Sequence, residues 1–157
     1  MSLPSARLAE LGLTLPAVPA PVAAYLPAVR SRGLILTAGQ LPFVDGVLPA
    51  TGKVGADVTP EQAAELARTA ALNAIAAAAS VVDGVDQLAR VVKLTVFVAS
   101  DPTFTGQPAV ANGASELLRQ VFGEAGQHAR SAVGVAVLPL DAPVELELTV
   151  EATTYPV

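Results

Sequence analysis

An α+β domain with helices on one face of a sheet is the fold this sequence predicts, and three observations predict it. β-rich runs and helix patterns follow one another in the order ββ(β)αβαββ, as in domains whose helices cover a single sheet face. An Ala-rich stretch starting at Thr59 puts Ala63, Leu66, Ala67, Ala70, Ala71, Ala74 and Ala78 at three- and four-residue spacing, a small-residue helical face suited to close packing on a sheet. The segment from Val144 to Ala152 alternates strictly, with Glu145, Glu147 and Glu151 on one side and Val144, Leu146, Leu148 and Val150 on the other, the pattern of a strand with one buried face.

The elements follow in chain order. Residues 5 to 11 favour a short helix, after which Pro16, Pro19 and Pro21 force an extended lead-in, because proline fixes φ and restricts the residue before it. Residues 1–21 therefore read as an arm and 22–157 as one domain. From Val22 to Thr37 two β-rich runs flank Arg30, Ser31 and Arg32, with Gly33 offering the hairpin turn. Residues 39–57 are rich in Gly and Pro and leave room for one short strand at most. Thr59, Pro60, Glu61 and Gln62 form a helix start, and the helix is expected to reach about Val82, before Gly84. Val91 to Ala99 is mostly apolar and reads as a strand covered on both faces. A second long helix is expected over Pro108 to Phe122, ended by Gly123. Strands over 130–137 and 144–153 close the domain, joined by a stiff turn from Leu138 to Pro143.

Composition narrows the function. The 157 residues are 52% hydrophobic and only 15% charged, leaving apolar surface for burial between subunits. Nine Lys and Arg stand against 14 Asp and Glu, a net charge of −5, with few aromatics, so the long-range field disfavours a nucleic-acid partner. With no Cys and one His, neither a disulfide framework nor a single-chain zinc site is expected. The start of the chain lacks a basic, continuously apolar leader, and the Ala-rich stretch is too short to span a bilayer. A cytoplasmic protein with no membrane partner and no cofactor is the expectation.

One constellation remains. His128, Ala129, Arg130, Ser131, Ala132 and Val133, continuing through Leu138 and Pro139 to Val144, Glu145, Leu146 and Glu147, resemble the signature of the Rid/YjgF family of reactive-intermediate deaminases, also known by the label endoribonuclease L-PSP. Upstream, Leu36 to Pro42, Thr51 and Gly52, Gln62 to Asn73 and Val92 to Val98 match in the family's order, so the resemblance covers about residues 22–152. It implies a chorismate-mutase-like mixed sheet with two helices on one face, and a homotrimer with clefts between subunits. It further implies hydrolysis of 2-imino and enamine acids to 2-oxo acids and ammonia.

By that resemblance Arg130 anchors a carboxylate and Glu145 handles water, while Tyr25, Gly39, Asn112 and Ala132 line the substrate site. Asn112 takes its place only if one residue is inserted before Arg130. Three departures mark this chain: Ala38 stands where Ser is frequent, His128 where Pro is frequent, and Ala132 where Cys is frequent.

The chemistry suits these residue types. A guanidinium fork holds a carboxylate through two parallel hydrogen bonds, and a carboxylate in an apolar cleft exchanges protons with attacking water. Each residue also has a plainer reading. Arg130 could pair with an acid across the sheet, Glu145 could face solvent, Tyr25 could sit at a subunit edge, Gly39 could be a turn glycine and His128 a surface residue. Two other functions stay open: a non-catalytic trimer that binds small carboxylated metabolites, favoured by Ala38 and Ala132, and a ribonuclease, which charge and composition oppose.

Overall fold

A computed structural model describes residues 2–20 and 23–153. Pro21, Val22 and residues 154–157 lie outside the described residues, and with them the start of the expected hairpin and the end of the domain.

The chain folds as α1 (Pro4–Glu10), β1 (Ala28–Ser31), β2 (Leu34–Thr37), α2 (Pro60–Ala79), β3 (Leu88–Ala99), α3 (Gln107–Phe122), β4 (Ala129–Val135) and β5 (Val144–Ala152). The strands make one mixed sheet in the order β1-β2-β5-β3-β4. Only β3 and β4 run parallel, joined by α3 as the crossover; the other neighbours are antiparallel.

Local chemistry explains most boundaries. Thr59 caps α2 in a complete capping box, its hydroxyl accepting from the Gln62 amide while the Gln62 side chain accepts from the Thr59 N–H, an arrangement that contributes about 1 kcal/mol. The helix ends at Ala79, three residues short of the expected Val82; Gly84 adopts φ 90° only after an intervening turn. In the hairpin the left-handed residue is Arg32, at φ 55°, and not the expected Gly33.

The 39–57 segment forms no strand, only isolated bridges such as Gln40 with Leu146 and Val54 with Ser100. Its order comes from elsewhere. The Asn73 amide on α2 donates to the carbonyls of Leu41 at 2.9 Å and Phe43 at 3.0 Å, and Lys53 pairs with Asp141 at 2.9 Å.

The core lies between the sheet and α2 and α3. Every residue of the expected α2 face is buried, and Val110, Leu117, Leu118 and Val121 are buried on α3 as expected. Small residues bring the helices together: a Cβ at Gly113 of α3 would meet the Ala64 carbonyl oxygen of α2 at 1.9 Å. The short helix expected over residues 5 to 11 forms as α1 and packs beside α3. Leu8 of α1 is buried and Ser5 bonds Asp86 through both its amide and its hydroxyl. Among the described residues no helix is long and apolar enough to cross a membrane.

The two sheet faces differ sharply. Two register shifts in β3, between Leu88 and Arg90 and between Val91 and Lys93, keep Leu88, Val91, Leu94, Val96 and Val98 all on the helix side. Such bulges let an apolar run escape strict alternation. The expectation that β3 is covered on both faces is therefore corrected: Lys93, Thr95 and Phe97 on the other side are only half-buried. Around them the uncovered face exposes Val29, Leu34, Leu36 and Val133.

Candidate functional site

The residues singled out in the sequence fall into two groups on opposite faces of the sheet. Arg130 pairs in register with Leu94, whose side chain is in the core, so Arg130 points toward α3. Its Nη1 donates to Asn112 Oδ1 at 2.8 Å and to Ser115 Oγ at 3.1 Å, and its Nη2 makes a long contact of 3.4 Å with the Pro108 carbonyl. Among the described residues no acidic partner crosses the sheet to it, which corrects the plainer reading of Arg130. Asn112 and Ser115 are three residues apart and share one helix face.

His128 completes this group. Its Nδ1 lies 2.6 Å from the Gly126 carbonyl oxygen and its Nε2 3.0 Å from Ser115 Oγ, so it is a half-buried, bonded residue and not a surface histidine. Ser115, Glu116, Arg119, Gly126, Gln127, His128 and Arg130 line a depression of about 360 Å³. Ala132, two residues along β4, turns to the same side and packs against the core, offering only a methyl group.

Glu145 pairs with Phe97 and projects from the uncovered face. It lies against Gly39: a Cβ on Gly39 would meet Glu145 Oε1 at 1.9 Å. The glycine is required by that close approach, since its φ is not in the left-handed region. Gln40, the next residue, exchanges backbone hydrogen bonds with Leu146 at 2.7 and 3.0 Å, which fixes the 39–40 segment beside the start of β5. Burial, with a smaller contribution from Glu147, raises the Glu145 pKa above the usual carboxylate range, because a low-dielectric surrounding and a like charge both disfavour the ionised form.

Tyr25 is 65% exposed. It precedes β1 at the same end of the sheet as Gly39, where the Ala38 amide donates to the Pro27 carbonyl. Behind this end, Pro16 to Pro19 and the segment from Gln40 to Gly46 enclose a cleft of about 560 Å³ with Asn73 and Ala76.

The structure thus brings Gly39 to Glu145, with Tyr25 nearby, and Asn112 to Arg130. It does not bring Arg130 and Glu145 together within one chain. Sequence reasoning missed Ser115 altogether and the bonded role of His128; the three-residue spacing of Asn112 and Ser115 was the available signal.

A family model described as "YjgF/chorismate_mutase-like, putative endoribonuclease" matches residues 5–151. Protein TCP17 of Trypanosoma cruzi is 45% identical over 148 residues, covering 94% of this chain and 92% of its own length. Among solved structures, protein Atu1372 from Agrobacterium tumefaciens, described as of unknown function, superposes with a TM-score of 0.88 at 43% identity, over 95% of this chain and 92% of that one. E. coli TdcF with bound serine is more distant, with a TM-score of 0.58 and 26% identity over 87% of this chain and 94% of that one.

Proposed function

Because this chain belongs to the YjgF/chorismate mutase-like family, we propose that it is a hydrolytic deaminase of 2-imino and enamine acids, working in clefts between the subunits of a homotrimer. The observation that carries this reading is the pairing of Gly39 with a half-buried Glu145 whose pKa is raised. A carboxylate perturbed by burial at a fixed position is a candidate proton handler.

The reaction needs little more than orientation and proton transfer. Arg130 holds the substrate carboxylate through charge-assisted hydrogen bonds. Water adds to the carbon of the protonated C=N group as Glu145 takes one of its protons, giving a neutral carbinolamine. Glu145 returns the proton to the amine nitrogen and accepts the hydroxyl proton as the C–N bond breaks, so that a 2-oxo acid and ammonia leave. An enamine enters the same route once it is protonated at carbon.

Since Arg130 and Glu145 project from opposite sheet faces of one chain, a shared cleft requires the Arg130 group of one subunit and the Glu145 group of its neighbour. The exposed Val29, Leu34, Leu36 and Val133, on the same sheet face as Glu145, supply apolar area for that association. The serine bound to TdcF is itself a small carboxylated molecule, in keeping with an anchoring arginine.

A second reading, a non-catalytic binder of such metabolites, is favoured by one feature: Ala132 presents a methyl group and no donor or nucleophile.

The test generates 2-iminopropanoate and 2-iminobutanoate in situ with an amino-acid oxidase and follows their decay. Faster decay with wild type, lost in Arg130→Ala and Glu145→Gln, is the expected result. No acceleration by an assembled oligomer, with 2-oxobutanoate still bound, would favour the binder.

A further inference from the structure

Arg130 has five N–H donors in a planar fork, and their distribution among partners decides which edge is left for a ligand. Both hydrogens of Nη1 are spent on α3, one on Asn112 Oδ1 at 2.8 Å and one on Ser115 Oγ at 3.1 Å. Among the described residues Nε has no partner, and Nη2 has only the long contact with the Pro108 carbonyl. The free edge is the one formed by Nε and Nη2, whose two parallel N–H groups match the two oxygens of a carboxylate.

What holds Nη1 in place extends one residue further. The Gly126 carbonyl can only accept, so the His128 Nδ1 at 2.6 Å carries the hydrogen. In the neutral ring Nε2 then presents a lone pair, and the Ser115 hydroxyl 3.0 Å away donates to it. With its hydrogen so directed, Ser115 Oγ is left with lone pairs for Arg130 Nη1. The result is an ordered chain in which every donor points the same way, from Arg130 to Ser115, from Ser115 to His128 and from His128 to the backbone of Gly126. Gly126 is itself buried, where a Cβ would strike the Leu118 carbonyl of α3, so the chain ends on a fixed point.

We propose that His128 is a positioning residue that acts through Ser115 to fix the guanidinium of Arg130, leaving its Nε and Nη2 edge to receive the substrate carboxylate. The inference rests on the reading of Arg130 as the carboxylate anchor, but the fixing of the guanidinium is measurable in the free protein. Ser115 is not a nucleophile in this arrangement. Its oxygen already accepts from a cation, and its hydrogen is held by an imidazole that orients rather than attacks.

The experiment has two arms. In the free protein, the side-chain ¹⁵N spectrum of Arg130 should show separate Nη signals in wild type, since a guanidinium bonded along one edge rotates slowly. These signals should average in Ser115→Ala and in His128→Phe, which keeps a ring but has no acceptor, and separate again in His128→Gln, whose side-chain oxygen can accept from Ser115. In the second arm, titration with 2-oxobutanoate should weaken about fivefold in each of Ser115→Ala and His128→Phe, the size of one neutral hydrogen bond. The double variant should lose about the same fivefold and not about 25-fold, because the two residues act in series.

Unchanged Nη signals in His128→Phe, or losses that multiply in the double variant, would overturn the proposal. Wild type that shows the Nη pattern and its dependence on His128 without binding 2-oxobutanoate would support the positioning chain while removing the reading of Arg130 as the carboxylate anchor.

Discussion

The two faces of the sheet carry different work, and two glycines show the division. At Gly113 an added Cβ meets the Ala64 backbone oxygen at 1.9 Å, and at Gly39 it meets Glu145 Oε1 at the same 1.9 Å. The first obstacle is the backbone of α2 and cannot retreat without parting α2 from α3. The second is the tip of a half-buried side chain that can swing away. The helix-covered face therefore stores stability in close backbone packing, while the uncovered face uses the same proximity to aim a carboxylate. Substitutions should separate accordingly, into losses of folding with chemistry intact and losses of chemistry with folding intact.

The largest effect expected is on the uncovered face. Glu145→Gln should lower the rate of imine hydrolysis by about 10²- to 10⁴-fold, the range for removal of a general acid-base, with thermal stability kept. Arg130→Ala should follow, losing about 100-fold through the missing charge-assisted fork; the loss should appear chiefly in KM if the anchor binds ground and transition states alike.

On the covered face, Gly113→Ala should destabilise by about 2–3 kcal/mol, a Tm fall of roughly 4–12 °C in a chain of this size. Better helix propensity in alanine offsets that by at most about 1 kcal/mol, so the backbone collision decides the sign. Gly39→Ala, by contrast, should cost about tenfold in rate through a displaced carboxylate while Tm moves by less than about 2 °C. A Gly39→Ala protein that unfolds as readily as Gly113→Ala would break the comparison.

The smallest effect is a pH dependence of stability. Burial raises the Glu145 pKa in the folded state, so folding favours the protonated carboxyl. That advantage is fully present below the ordinary carboxylate pKa of about 4.3 and is lost as pH rises through the raised folded value. Glu145→Gln should therefore melt with wild type near pH 4 and slightly above it at pH 8. The difference should stay below about 1 kcal/mol, since the group is partly exposed and screened. A wild type that gains stability over Glu145→Gln on going from pH 4 to pH 8 would contradict the sign.

Much of this architecture was written locally. The Thr59–Gln62 capping box and the alternation of β5 are short-range patterns, and both elements appear where those patterns put them. The segment from 39 to 57 was harder to read, because its order depends on Asn73, 30 and 32 residues away from the carbonyls it holds. The bulges of β3 were equally hidden, since the run reads as apolar throughout and only the pairing with β5 shows which residues face the helices.

The candidate site was legible through family resemblance more than through residue type. A lone Arg or Glu on a strand has many uses; Glu145 gains meaning from Gly39, more than 100 positions earlier, and Arg130 from the α3 face that carries Asn112 and Ser115. The division of Arg130 and Glu145 between opposite faces follows from register, which no single strand's sequence contains.

That division is the central claim, and mixing impaired chains tests it most directly. Arg130→Ala and Glu145→Gln proteins, each reduced by about 100-fold or more alone at substrate below KM, are co-refolded in equal amounts and assayed there for imine decay. If each cleft takes Arg130 from one subunit and Glu145 from the next, random mixing leaves about one cleft in four intact, and about a quarter of wild-type activity returns. If activity stays at the level of the single variants in oligomers shown to contain both chains, the two residues do not meet across a subunit boundary and the shared cleft is wrong.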